Sequence, residues 1–150
     1  MTRLASAFKN SDLLRLKTFE LGGQIFRVRI PLTKEMETIE QRISKIDEAE
    51  EQRRYEKMVA GFGDIDIEGI VKTENDVVVE GRSTRDMVRS ILQMENRVVE
   101  FIKLLVPTDG TLDDITYEEI DAEWPFTVQL EILAKINEVI APGYKEERKN

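Results

Sequence analysis

Chemistry would first be sought in the stretch Asp64-Ile65-Asp66-Ile67-Glu68-Gly69. Its three carboxylates and its glycine occupy positions 1, 3, 5 and 6 of a calcium-binding loop, and Val71 falls at the apolar position 8. Such a loop closes on a bidentate glutamate at position 12. Here that position is Asn75, and Glu74 comes one residue early. The residue at position 5 is the longer Glu, and Ile65 and Ile67 alternate with the acids as they would along a strand. An acidic turn beside a strand is the expectation, with no metal bound.

Glu118 and Asp121 stand at helical spacing. Paired carboxylates can divide acid and base roles when their surroundings push their pKa values apart. In a chain with 30 acids such pairs arise by chance, and a charged helix face accounts for this one. Gly81-Arg82-Ser83-Thr84-Arg85-Asp86 sets two arginines at a helix start, a combination that can hold phosphate. It lacks the spacing and the lysine of a nucleotide-binding loop, and Ser83 or Thr84 is expected to cap the helix instead. There is no histidine and no cysteine, which removes the commonest general base, the thiolate nucleophile and the imidazole and thiolate metal ligands. No catalytic residue, cofactor site or metal site is expected, and no reaction can be read from these residues.

At 150 residues a single domain is expected. Apolar residues make up 41%, enough for a core, and charged residues 35%, which suits long solvated helices. No apolar run approaches the roughly 20 residues that span a bilayer, and the first ten residues lack the apolar stretch of a signal peptide. A soluble, cytosolic protein with no membrane partner is therefore expected. A net charge of −8 opposes nucleic-acid binding, which needs a basic footprint. The charge is uneven: residues 1–30 hold six Lys/Arg against two acids, whereas residues 109–123 hold seven acids and no base. Such complementary regions could steer one copy onto another, although solvated surface is the simpler reading.

Periodicity gives the elements that must position these residues. Two runs rich in β-branched, aromatic and Leu residues flank Gly22-Gly23, a two-residue hairpin loop in which glycine takes positive φ without steric cost. Phe19 and Leu21 alternate on one arm. Ile25, or else Phe26, Val28 and Ile30, alternate on the other, and Pro31 stops it. Residues 33–62 are expected to form one charged helix capped by Thr33 and ended by Gly61 and Gly63. Met36, Ile39, Ile43 and Ile46 form its narrow apolar seam, which fails where charge runs all round from Asp47. Over residues 64–82 the period changes, and Ile70-Val71 and Val77-Val78-Val79 flank a turn at 73–76, giving short strands or a second hairpin.

The strongest helix covers residues 84–105. Met87, Ile91, Met94, Val98, Phe101 and Leu105 make its seam, widened by Val88, Leu92, Val99 and Ile102, and Pro107 follows its end. Thr116 and Glu119 have capping-box spacing for a short helix that stops by Trp124, ahead of Pro125. Phe126, Leu130, Leu133, Ile136 (or Asn137) and Ile140 form the face of the last helix, and residues 141–150 a mobile tail. The fold class is thus α+β, mainly α: an N-terminal β-hairpin (1–31), a charged helix (33–62), short strands (64–82) and a helical core (84–140). The last two long helices can cover each other. The stripe of Met36, Ile39, Ile43 and Ile46 is then left as a contact face for a partner.

Four stretches carry a family resemblance in their order and spacing: "FELGGQIFRVRIP" (19–31), "DVVVEGRSTRDMV" (76–88), "ENRVVEFIKLLVP" (95–107) and "WPFTVQLEILAKINEVIAPGYKEERKN" (124–150). In this pattern the chain resembles the tail assembly chaperones of phages with long non-contractile tails. Residues 40–65 match least, and no catalytic motif takes part. The resemblance implies a non-enzymatic protein of the bacterial host cytoplasm, without cofactors, that self-associates and binds the helical tape-measure protein before the tail tube polymerises. It further implies that a longer, frameshifted form, parting near "KEERKN", recruits the tail-tube protein. The alternative reading is a structural head-tail or tail-completion protein retained in the virion.

Overall fold

The computed structural model describes residues 14–62 and 69–141. The candidate ligands Asp64, Asp66 and Glu68, the helix-ending Gly63 and the tail 142–150 lie outside the described residues. In chain order the elements are β1 (Leu16–Leu21), β2 (Gln24–Arg29), α1 (Thr33–Ser44), α2 (Glu48–Ala60), β3 (Ile70–Lys72), β4 (Val77–Val79), β5 (Arg82–Ser83), α3 (Thr84–Ile102), α4 (Tyr117–Glu123) and α5 (Phe126–Ile140). The fold is α+β and mainly α, with a β-hairpin leading into helices and a small second sheet. The described residues fall into two compact units, one drawn from residues 14–40 and 98–141 and the other from 41–62 and 69–97.

In the first unit β1 and β2 pair antiparallel around Gly22 (φ +61°) and Gly23 (φ +79°), the left-handed pair that the Gly-Gly loop allows. Phe19 stands opposite Phe26 and the rings stack with centroids 5.0 Å apart. Trp124 meets Phe26 edge-on at 6.5 Å. This register settles the open alternative for the second arm: Phe26 and Val28 face the core, and Ile25 is 74% exposed. The long helix ends at Ile102 rather than near Leu105. Pro107 disfavours helical backbone at Val106, and residues 104–106 pair with β2 instead. The Arg29 amide donates to the Leu104 carbonyl at 2.8 Å and the Val106 amide to the Arg27 carbonyl at 2.9 Å.

Thr116 caps α4 by accepting from the Glu119 amide at 3.3 Å, and Trp124 turns extended ahead of Pro125. α5 packs on β1, with a face rotated from the expected one. Gln129, Ile132, Leu133 and Ile136 are buried, while Phe126 and Leu130 are exposed. Hydropathy misplaces this face because its centre is a glutamine. Gln129 is fully buried, donates to Asp121 at 3.1 Å and to the Trp124 carbonyl at 2.8 Å, and accepts from the Tyr117 hydroxyl at 3.1 Å. Arg15 and Arg29 both donate to Glu35 in the first turn of α1, at 2.7 and 2.5 Å. The Arg29 guanidinium, more than the other partners, holds the Glu35 carboxyl below its ordinary pKa.

In the second unit the expected single helix over 33–62 is broken at Lys45-Ile46-Asp47. Asp47 caps α2 by accepting from the Ala49 amide at 3.0 Å. Asn96 answers from α3, donating to the Ile43 and Lys45 carbonyls at 3.3 and 3.2 Å, groups that a helix end leaves without partners. The short strands form a three-stranded antiparallel sheet in the order β3-β4-β5. The turn at 73–76 closes with the Thr73 amide on the Asp76 carbonyl at 2.8 Å. Between β4 and β5 the two-residue loop Glu80-Gly81 has φ of 50° and 79°.

A left-handed φ at a residue with a Cβ costs about 1 kcal/mol, and Asn tolerates it best. Glu80→Asn is therefore expected to raise stability by about 0.5–1 kcal/mol in a urea melt. Gln129→Leu keeps the volume but removes the donor to the Trp124 carbonyl and an acceptor of the Tyr117 hydroxyl. It is expected to lower stability by about 2 kcal/mol in the same measurement.

Candidate functional site

The second unit carries a surface where an exposed large apolar side chain, Ile91, lies between two depressions. Its construction starts at Arg54 on α2. The guanidinium grips Glu95 on α3 in a fork, Nη1 to Oε2 at 3.0 Å and Nη2 to Oε1 at 2.8 Å, while Nε donates to Glu50 at 2.9 Å. Bidentate pairs of this kind fix geometry as well as charge. Beneath it Tyr55, Val88 and Leu92 form a small core, joined by Ile46, Met58 and Val59.

A second tie lies at the start of α3. The Asp76 carboxylate accepts from the Ser83 hydroxyl and from the Val77 and Arg85 amides, the last two at 2.8 and 3.2 Å. The Ser83 hydroxyl, chiefly, holds the Asp76 carboxyl below its ordinary pKa of 3.8. Thr84 is fully buried and donates to the Val77 carbonyl at 2.5 Å. Arg85 lies over the Tyr55 ring, 3.9 Å from its centroid, and donates to Gln52 at 3.1 Å. These bonds account for the Arg and hydroxyl cluster at residues 81–86. Ser83 serves as the cap, accepting from the Asp86 amide at 3.2 Å.

With α2 and α3 so fixed, the row Val88 and Leu92 points inward and the neighbouring row does not. Ile91 is 41% exposed, and Met87 and Met94 are half-buried. On one side of Ile91 lies a depression of about 400 Å³ lined by Arg54, Lys57, Met58, Gly61 and Val88. On the other lies one of about 610 Å³ lined by Gly81, Arg82, Ser83, Asp86, Met87 and Ser90. Both fall in the size range of small-ligand pockets. Such pockets, however, converge polar groups on their occupant, and here Arg54 and Ser83 are already held by their own neighbours.

The seam expected as a contact face lies elsewhere and is largely covered. Ile39 and Ile43 are 7% and 3% exposed, Met36 is half-buried, and Ile46 packs on the Tyr55 core. Little of it is left open to a partner in this structure. Glu118 and Asp121 are both exposed on α4, and Asp121 is engaged by Gln129. Gly69, Val71, Glu74 and Asn75 of the calcium-like loop are described. Glu74 and Asn75 sit in the turn between β3 and β4. Among the described residues no group of three acidic side chains could hold a metal ion, and no helix is long and apolar enough to cross a membrane. Sequence reasoning placed Ile91 in the core seam; the exposed row is legible only once the cap at Ser83 fixes the rotation of α3.

The lowered pKa of Asp76 makes its network a source of acid sensitivity. A carboxyl depressed on folding contributes stability that is fully present above its unfolded value and is lost as pH falls through the folded one. Thermal melts should thus show a decline below about pH 4. Asp76→Asn, which keeps the size but turns an amide toward three donors, should lower Tm at neutral pH and flatten that decline.

A scan against protein-family models, a search of curated proteins and a search of solved structures each found nothing that matches this chain.

Proposed function

We propose that this chain is a non-enzymatic assembly chaperone of a long-tailed phage, which self-associates and holds the helical tape-measure protein until the tail tube polymerises. The observation that carries the reading is the Ile91 ridge with a depression on either side and methionines at its walls. An exposed apolar ridge on a framed helix pair is a surface for another chain. Methionine lets it accommodate varied sequence along a long client. Burial yields about 25 cal/mol per Å² of apolar surface, and that contact would hold the client by association alone. The order and spacing of the four resembling segments supply the class of client. A longer, frameshifted form that recruits tail-tube protein belongs to the same proposal.

Co-expression with the tape-measure protein tests it. The client is expected to co-purify with this chain and to lose it when tail-tube protein is added, and purified virions are expected to lack it. A chain that stays in the virion and ignores the tape-measure protein would be a tail-completion protein instead. Self-association has its own readout. Light scattering is expected to show oligomers that shrink as salt rises, because the basic region 1–30 and the acidic region 109–123 attract across a screened distance of about 10 Å at 0.1 M salt.

A further inference from the structure

We propose that the Ile91 ridge binds an amphipathic helix whose apolar stripe is flanked by acidic residues. This rests on the chaperone reading for the kind of client but on the groove's own chemistry for its charge. Met87, Ile91 and Met94 recur at intervals of four and three along α3, so they form a row parallel to the helix axis. Depressions on both sides of such a row suit the side chains of a second helix laid across it, ridge into groove. A compact small molecule would use one depression and leave the other empty.

The charge of the walls selects the flank. Among the described residues, the charged side chains lining the two depressions are the cations Arg54, Lys57 and Arg82 and the acid Asp86. The chain as a whole carries −8, yet among the described residues these walls hold more cations than acids. Arg54 is neutralised by Glu50 and Glu95. Lys57 and Arg82 are exposed and make no ion pair among the described residues. Lys57 lies on one side of the ridge and Arg82 on the other, so both edges of a seated helix would meet a cation.

The test uses the full chain and two labelled designed peptides of about 20 residues, long enough to hold a helix. Both carry the same leucine stripe, one flanked by glutamates and the other by lysines. Fluorescence anisotropy is expected to show tighter binding of the glutamate peptide, by about fivefold for each cation engaged, the upper end for an exposed ion pair. Lys57→Glu with Arg82→Glu is expected to reverse that preference. Ile91→Asp is expected to abolish binding of both peptides, with an unchanged circular-dichroism melt because Ile91 is already partly in water. Equal affinity for the two peptides, or binding unaffected by Ile91→Asp, overturns the proposal. So does a dimer that Ile91→Asp dissolves, since the ridge would then be a self-contact. Retention of tape-measure protein by Ile91→Asp would sink the groove and leave the chaperone reading standing. Binding of the glutamate peptide without the tape-measure protein would do the reverse.

Discussion

The first unit depends on three residues that stop being helix. A lone two-stranded hairpin is marginal in water, and β1 with β2 would be one. The turn from α3 into residues 104–106 gives β2 a second neighbour, through the Leu104 carbonyl and the Val106 amide. Val28, opposite Leu105, becomes fully buried, as do Phe101, Ile102 and Leu104 close by in sequence to the bridge. Proline enforces the change. A helix carried through Leu105 would bring Val106 toward a conformation that Pro107 disfavours. The same physics recurs at Trp124 and Pro125, where an extended residue ends α4 and lets the indole reach Phe26.

The second unit solves the opposite problem. Its strands have two or three residues each, too few for a sheet face to bury much, and its buried core cluster is small. Polar groups supply the definition that apolar area does not. Asp76 gathers a hydroxyl and two amides, Arg54 forks onto Glu95, and Asn96 closes the end of α1. Each bond contributes only about 1 kcal/mol net, but leaving such a group buried without its partner costs more. Alternative rotations of α3 are therefore disfavoured by what they would strand.

How far the sequence discloses this structure follows from the same division. Elements set by backbone sterics and local caps were legible: the Gly22-Gly23 hairpin, the Thr116 and Glu119 box, and the stop at Trp124. Each depends on residues within four positions of one another. What depended on distant polar partners was not. Gln129 reads as surface until Tyr117, Asp121 and the Trp124 carbonyl surround it, and its burial rotates the face of α5 so that Phe126 and Leu130 turn outward. Asp47 reads as one more charge in a charged helix until its cap on Ala49 divides α1 from α2. The candidate site belongs to this second group. Met87, Ile91, Val88 and Leu92 are equally apolar in a list of residues, and tertiary bonds decide which row is covered.

That selection bears on what a surface for transient holding requires. The stripe of Met36, Ile39, Ile43 and Ile46 would be a strong site if open, but Ile39 and Ile43 are nearly inaccessible. Exposing them would cost the chain its own packing, at about 1.5–3 kcal/mol for each buried aliphatic side chain. Ile91 bears no such cost, being partly in water already. A client of the proposed chaperone, seated there, would gain the remaining apolar contact without unfolding its holder, and would lose no more on leaving. Binding at the covered stripe would couple capture to unfolding and make release slow. Binding at the open ridge keeps both steps cheap, which is what a protein displaced by a polymerising tube would need.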